Sequence, residues 1–298
     1  MYKLVVEKIL GLIGMLNPVL VIKKLVSRDK KPSYVLGRFS LVRDTYSSCR
    51  MLLQLLRLRQ SVEAGKKESL FNKTAINEIN EELRSEAVFL GLNLPAKIVE
   101  SITSFAKHTP LTREDDSSHF FYNDVKNGYL SDGRPVPQAI ASNPLDCDEI
   151  QHIVNDPFLL EVVSKYLRYR PSNIHPVLKW SFIVRLPDAD RIKLHQTVHY
   201  HYDVHGFNFI YANFYLLDTD ENSGAHMMIK ASHRQKPLWM LLNSAMQPEH
   251  VLHNYYGKES ELIVKGKSGY GFIQDASCYH KALKPVKKER LMLQIRYW

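Results

Sequence analysis

Residues 196–204 read QTVHYHYDV, so His199, His201 and Asp203 recur at every second position. Along an extended strand alternate side chains share a face, which sets an imidazole and a carboxylate side by side at His201 and Asp203. One more histidine would complete a facial triad, the ligand set of non-haem iron(II) centres. It fills one face of an octahedron and leaves the opposite face open to co-substrate and oxygen. The pair by itself says little. With 13 histidines and aspartate at about one residue in twenty, a chance His-x-Asp is expected roughly 0.65 times per chain.

The closing stretch, residues 270–298, reads YGFIQDASCYHKALKPVKKERLMLQIRYW. His280 ends a turn after a β-rich run, and Arg290 opens another strand ten residues on. A guanidinium is planar, always charged and bidentate, so it suits a dicarboxylate tail buried in a barrel. On an outward face Arg290 would merely be solvated.

Residues 201–234, HYDVHGFNFIYANFYLLDTDENSGAHMMIKASHR, resemble the phytanoyl-CoA dioxygenase family. The shared order is a His-x-Asp, a β-rich run, an acidic turn (residues 218–224) ending near Asn-x-Gly, and a strand leading to Ser232-His233. Asp275, His280 and the run from Arg290 to Gln294 resemble the family's closing motif, and residues 156–169 and 180–182 its lead-in. The match covers residues 75–298, with no counterpart for residues 1–74. The family often has Pro-Gly before the Ser-His pair, where this chain has Lys230-Ala231.

The resemblance implies a metal triad of His201, Asp203 and His280 binding Fe(2+). It implies 2-oxoglutarate as co-substrate, anchored by Arg290, with O2 as oxidant. Two neutral imidazoles and one carboxylate leave such a centre with one net positive charge. Gln294 shares the Arg290 face of a regular strand and is a candidate co-substrate contact, as are Asn213 and Tyr215, with Tyr211 beside them. His199 is expected behind the triad or buried. His205, His226 and His233 read as structural or exposed, Cys278 as a small buried residue, and Asp275 as the shaper of the turn before His280. Halogenation is disfavoured, because Asp203 occupies the place a halide needs.

Two other functions compete. His199-x-His201-x-Asp203 partly matches the box of metallo-β-lactamase-like hydrolases, but that box needs a histidine directly after the aspartate, and Val204 stands there. A catalytically silent jelly-roll binding protein is the other alternative.

The elements that must position these residues change character along the chain. Residues 1–60 read as helices with polar breaks and 61–74 as a linker. Helical spacing recurs at 74–92, 94–108 and 156–167, the last started by Asp156 and Pro157. Residues 109–150 are polar and expected as long loops with short strands at most. After Pro171 six short β-rich runs follow, separated mostly by Gly, Pro, Asn or Asp. The expected fold is mainly β with α: a double-stranded β-helix, or jelly roll, braced by N-terminal helices. The expected division is a basic helical extension over 1–74 and an oxygenase domain over 75–298.

Charge is unevenly placed. The chain's net +9 sits wholly in residues 1–68, which carry 14 Lys or Arg against 5 Asp or Glu, while residues 69–298 carry 26 of each. No nucleic-acid-binding pattern occurs, so the expected partners are a small-molecule or lipid-like substrate and, through residues 1–68, a membrane surface. The apolar run at 9–22 is too short to span a bilayer and contains Asn17-Pro18. Three widely spaced cysteines, Cys49, Cys147 and Cys278, argue against a disulfide scaffold and fit a cytoplasmic location.

Overall fold

The computed structural model describes residues 32–57, 68–71, 75–194, 196 and 198–298. The apolar run at 9–22 and most of the basic N-terminal residues lie outside the described residues, and with them the expected membrane contact. No described helix is long and apolar enough to cross a membrane.

The front half holds α1 (Pro32–Leu36), α2 (Ser40–Arg57), α3 (Ile76–Glu86), β1 (Val88–Asn93), α4 (Ala96–His108), β2 (Leu111–Arg113), β3 (Asp116–Phe120), β4 (Gln138–Ala141), α5 (Asp148–Val154) and α6 (Pro157–Leu167). The back half holds β5 (Ile174–Ser181), α7 (Asp188–Lys193), β6 (Ile210–Tyr215), β7 (His226–Ile229), α8 (Leu238–Leu242), α9 (Glu249–Tyr256), β8 (Glu261–Val264), β9 (Tyr270–Gln274), β10 (His280–Ala282) and β11 (Arg290–Tyr297).

Helix α6 shows how local sequence sets an element. Asp156 accepts a hydrogen bond from the Leu159 backbone at 3.0 Å and Pro157 occupies the first turn, a strong start signal. Phe158, Leu159, Val162, Val163, Tyr166 and Leu167 are buried, an apolar face at helical spacing. The other carboxylate oxygen of Asp156 accepts from the Leu70 backbone at 2.7 Å and so fastens residues 68–71 to the helix start.

Helix α3 corrects the reading that carried helical spacing through residue 92. It ends at Glu86, because Ala87 turns left-handed at φ 68. The following VFLGLN forms β1, the edge of the large sheet against β9. Aromatic and aliphatic side chains there gain more from pairing on a pleated surface than from one further helical turn.

Eight strands form the large sheet in the order β1-β9-β6-β11-β5-β4-β2-β3, and three form the small sheet in the order β10-β7-β8. All the strand pairs are antiparallel. His201 adds to the small sheet: its backbone N–H donates to the His280 carbonyl at 2.9 Å, and its carbonyl accepts the return bond from the His280 N–H at 2.7 Å. The two sheets face each other as a jelly roll, and the helices of the front half cover the outer face of the large sheet. Ile79, Leu83, Val99, Ile102, Ile150 and Leu159 share one buried cluster with Leu178, Ile210, Phe214, Leu291, Leu293 and Ile295 of that sheet. On β11 the odd-numbered residues thus enter the core beneath the helices, and Arg290, Met292, Gln294 and Arg296 point into the roll.

The loop at Lys230-Ala231 holds its shape without the family's glycine. Ala231 sits at φ 59, the left-handed region, held by its N–H on the Glu86 carbonyl at 3.0 Å. A Lys230–Glu86 ion pair of 2.9 Å lies alongside. A Cβ there costs about 1 kcal/mol, so Ala231→Gly should stabilise the fold by up to about 1 kcal/mol. Thermal unfolding of the two proteins checks this; an unchanged or lower midpoint would show that the conformation carries no strain.

Candidate active site

His201, Asp203 and His280 meet inside the roll with their ligand atoms all within 4.8 Å of one another. Asp203 stands between the histidines, 3.7 Å from Nε2 of His201 and 3.9 Å from Nε2 of His280. The imidazole centroids are 4.4 Å apart.

Residues 198–204 form no regular strand, contrary to the sequence reading. Its geometry is instead fixed at single points. The paired backbone bonds between His201 and His280 set the two histidines side by side, and the Asp203 N–H donates to the Ala276 carbonyl at 2.9 Å. These bonds hold residues 201 and 203 in the alternation a strand would give, so both side chains enter the same cavity.

Both imidazoles are oriented from behind. Nδ1 of His201 lies 3.0 Å from the His199 carbonyl, and Nδ1 of His280 lies 2.9 Å from the Cys278 carbonyl. A carbonyl only accepts, so each Nδ1 carries the proton and each Nε2 keeps its lone pair, turned toward Asp203. Burial pushes His280 down to about 4, and the neighbouring His201 adds to the push. It therefore stays a neutral ligand at physiological pH. Burial also works against the Asp203 carboxylate, but the adjoining imidazoles of His280 and His201, which gain by protonation beside it as pH falls, outweigh burial and hold its pKa below the ordinary value. The Tyr211 hydroxyl is directed at the same carboxylate. Two neutral imidazoles, one ionised carboxylate and backed Nδ1 atoms fit a divalent first-row metal.

Arg290 lies in the same cavity and is 3% exposed. It donates through Nη1 to the Gly224 carbonyl and through Nη2 to Ser181 Oγ at 3.1 Å, while its Nε has no partner. Gly224 sits at φ +84, and a Cβ there would meet the Leu283 carbonyl oxygen at 2.8 Å, so only glycine brings that carbonyl up to the guanidinium. No carboxylate among the described residues pairs with Arg290. Burial lowers its pKa, and a buried guanidinium without a counter-ion is costly unless an anion joins it.

The cavity measures about 540 Å³, room for a small co-substrate and part of a second molecule. Gln294 lines it, donating to Asn213 Oδ1 at 3.1 Å. Asn213 is buried behind Gln294 and does not reach the wall. Tyr215 corrects the expectation of a co-substrate contact. It lies near Arg290, but its hydroxyl donates to the Val264 carbonyl at 2.9 Å and accepts from the His226 N–H at 2.9 Å. Tyr211, four residues earlier on β6, does line the cavity.

His199 is exposed at the cavity mouth rather than buried, and its carbonyl, not its ring, serves the triad. His205 packs edge-on against Trp298 at 4.1 Å. His233 Nε2 contacts the Arg84 carbonyl at 3.1 Å. Cys278 is buried with its thiol pushed up to about 12, mainly by burial, so it is no thiolate near the triad. Asp275 shapes the turn as expected, accepting from the Ser277 N–H at 3.0 Å.

Three cavity residues, Gln138, Lys179 and Arg296, went unread in the sequence, and a fourth, His226, was expected to be structural or exposed. His226 stacks on His280 with centroids 5.3 Å apart, and its Nε2 is buried without a partner. Gln138 stands opposite Ser181 on β4. Lys179 and Arg296 project from β5 and β11. The available signal was a charged residue on the inward-facing phase of an apolar strand, as in VLKWS and LQIRY.

No protein-family model and no curated protein sequence matches the chain. Solved structures do. The epimerase SnoN from nogalamycin biosynthesis, in complex with Fe3+, alpha ketoglutarate and nogalamycin RO, matches at 14% identity and a TM-score of 0.52 over 75% of this chain and 83% of SnoN. EvdO2 from Micromonospora carbonacea var. aurantiaca, complexed with 2-oxoglutarate, matches at 13% identity and a TM-score of 0.49 over 77% of this chain and 92% of EvdO2. HygX from Streptomyces hygroscopicus, with nickel and 2-oxoglutarate bound, matches at 12% identity and a TM-score of 0.48 over 76% and 87%. At 14% identity the SnoN match is a likeness of fold, the jelly roll described above.

Proposed function

We propose that this chain is an Fe(II)- and 2-oxoglutarate-dependent dioxygenase of the phytanoyl-CoA dioxygenase type that hydroxylates, or similarly oxidises, a small-molecule or lipid-like substrate. One observation carries the reading. A buried guanidinium without a counter-ion among the described residues faces the same cavity as two imidazoles and a carboxylate whose ligand atoms lie within 4.8 Å. A metal triad alone fits several metals and reactions; a triad sharing its cavity with an unpaired buried arginine fits a chelating acid with a second carboxylate.

His201, Asp203 and His280 would hold the iron, and Arg290 the distal carboxylate of 2-oxoglutarate. Iron bound there supplies activation of O2 for attack on a substrate C–H bond, with 2-oxoglutarate as the second reductant. The chain's own residues do the positioning. The carbonyls of residues 199 and 278 hold the imidazole tautomers, Ser181 and Gly224 hold the guanidinium flat, and Tyr211 steadies Asp203. The metallo-β-lactamase-like alternative has no support in the fold, and Val204 stands where its box needs a histidine.

The test is calorimetric titration of 2-oxoglutarate into Mn(II)-loaded protein, followed by measurement of O2 uptake and carbon dioxide release with Fe(II). Arg290→Leu should weaken 2-oxoglutarate binding by at least about a hundredfold, since a buried charge-assisted bidentate contact is lost. Failure of the wild-type protein to bind 2-oxoglutarate would overturn the reading. Binding with no O2 uptake in the presence of any substrate would favour a silent binding protein.

A further inference from the structure

The triad and Arg290 do not exhaust the cavity's charge. Lys179 faces inward from β5, opposite Met292, and Arg296 faces inward from β11, opposite Tyr211 and His175. Neither has an ion-pair partner among the described residues. Arg296 donates from Nε to Gln294 Oε1 at 2.8 Å, and its guanidinium lies 5.4 Å from the Tyr211 ring centroid. Its terminal nitrogens hold no carboxylate. Among the described residues, the acids facing this region are Asp203, committed to the triad, and Glu114, which is exposed on the hairpin between β2 and β3. Lys281, also on the cavity wall, is already paired with Glu249.

A charge balance separates the two halves of the cavity. With a divalent metal and 2-oxoglutarate in place, the metal and Arg290 are matched by Asp203 and the two co-substrate carboxylates. That half is neutral. Lys179 and Arg296 remain, opposed only by the exposed Glu114, so one positive charge is left over in a partly desolvated space. Burial, with Arg296 nearby, already pushes the Lys179 amine down to about 8, as expected of cations crowded without an anion.

We infer that Lys179 and Arg296 form an anion subsite for the substrate, so that the molecule oxidised carries a carboxylate or phosphate group held on the open side of the triad. This rests on the proposed function for the placing of 2-oxoglutarate, and it narrows the substrate to an organic acid or a phosphate ester. The anion fixes one end of the substrate in the field of the two cations, and the rest of the molecule passes the triad. Neutral hydrocarbons and sugars would leave both cations desolvated and unpaired, which counts against them as substrates.

The probes are inorganic phosphate and butyrate, titrated under nitrogen at constant ionic strength into protein loaded with Mn(II) and saturating 2-oxoglutarate. At least one should bind, and the one that does identifies the group. Lys179→Met and Arg296→Gln should each weaken that binding about tenfold, the ordinary effect of removing one charge-assisted contact. Lys179→Arg should retain it. In all three variants the affinity for 2-oxoglutarate should stay within about twofold of wild type. The inference is overturned if neither anion binds, if both charge-removing variants bind it as wild type does, or if they lose 2-oxoglutarate in parallel. The last result would place both cations in the co-substrate site. If 2-oxoglutarate itself fails to bind, the proposed function falls. The same titration on protein loaded with Mn(II) alone then still decides whether Lys179 and Arg296 hold an anion.

Discussion

Asp203→Ala should lower metal affinity by at least about a hundredfold and reduce O2 uptake to background. The ordinary cost of disturbing only the groups behind a metal ligand is ten- to a hundredfold, and Asp203 is a ligand candidate itself. It is the one anion standing between two Nε2 atoms, at 3.7 and 3.9 Å. Without it, a divalent ion would face two neutral imidazoles with Arg290 and Lys179 in the same cavity, and among the described residues only the exposed Glu114 would offset that repulsion. The fold should survive. The Asp203 side chain is 33% exposed on the cavity side, and the bond that places the residue comes from its backbone N–H to Ala276. Unchanged circular dichroism with lost Mn(II) binding, measured by calorimetry, is the expected pair of results. Metal affinity equal to wild type would show that the three residues do not form the centre. His280→Ala should lose metal as well, but with some loss of stability, because His280 is buried against His226.

Arg43→Ala should destabilise the protein by about 3–5 kcal/mol, the usual cost of breaking a buried ion pair by removing one partner. Arg43 comes from α2, far from the site in sequence. Its Nη2 meets Asp275 Oδ2 at 2.7 Å, with side-chain exposures of 8% and 2%. Its Nε and Nη2 also donate to Asn208 Oδ1 at 3.0 and 2.7 Å, and Nη1 donates to Ser277 Oγ. Tyr166 of α6 donates to the same Asp275 oxygen at 2.5 Å. One carboxylate thus joins α2, α6 and the turn whose Ala276 and Cys278 carbonyls hold Asp203 and His280. Loss of Arg43 leaves Asp275 buried and uncompensated, so the turn beneath both ligands should loosen. Chemical denaturation measures the stability, and the Mn(II) affinity of the folded fraction should fall as well. A change below about 1 kcal/mol would mean that Asp275 finds another partner.

The same pair sets an acid limit. Burial disfavours the Asp275 carboxylate, but Arg43 and then His233 outweigh it, and the net direction is well below the ordinary carboxylate range. A pKa lowered in the folded state gives stability that is complete above the unfolded value of about 4. That stability drains away as pH falls further toward the folded value. The Arg43→Ala protein should lack this contribution, so the stability gap between the two proteins should narrow below about pH 4.

Helix α2 lies within the stretch that has no counterpart in the family the sequence resembles. Its Arg43 is nevertheless built into the support of the site. The reason it could not be read from sequence is physical. Arg43 and Asp275 lie 232 positions apart, and a lone arginine in an amphipathic helix looks like any solvated one. Burial alone separates the two cases. The same holds for His226, whose partner-free Nε2 and stacking on His280 arise from the pairing of β7 with β10. The strand β10 spans only three residues, HKA, too few to carry a period. Tyr215 failed in the opposite way: an inward-phase tyrosine near Arg290 had the right type, but its hydroxyl was already taken by Val264 and His226.

By itself the sequence determined which residue types could form a metal centre, that two of them share a face, and that an arginine follows the third at a spacing suited to a dicarboxylate. It also determined the mainly β character after Pro171, because periodicity and turn residues act over a few neighbours. Tertiary structure alone decided that residues 201 and 280 exchange backbone bonds, that Arg290 is buried with no counter-ion among the described residues, and that Lys179 and Arg296 face the same cavity. These are properties of register and desolvation, which depend on what the chain brings together from far apart and not on local spacing.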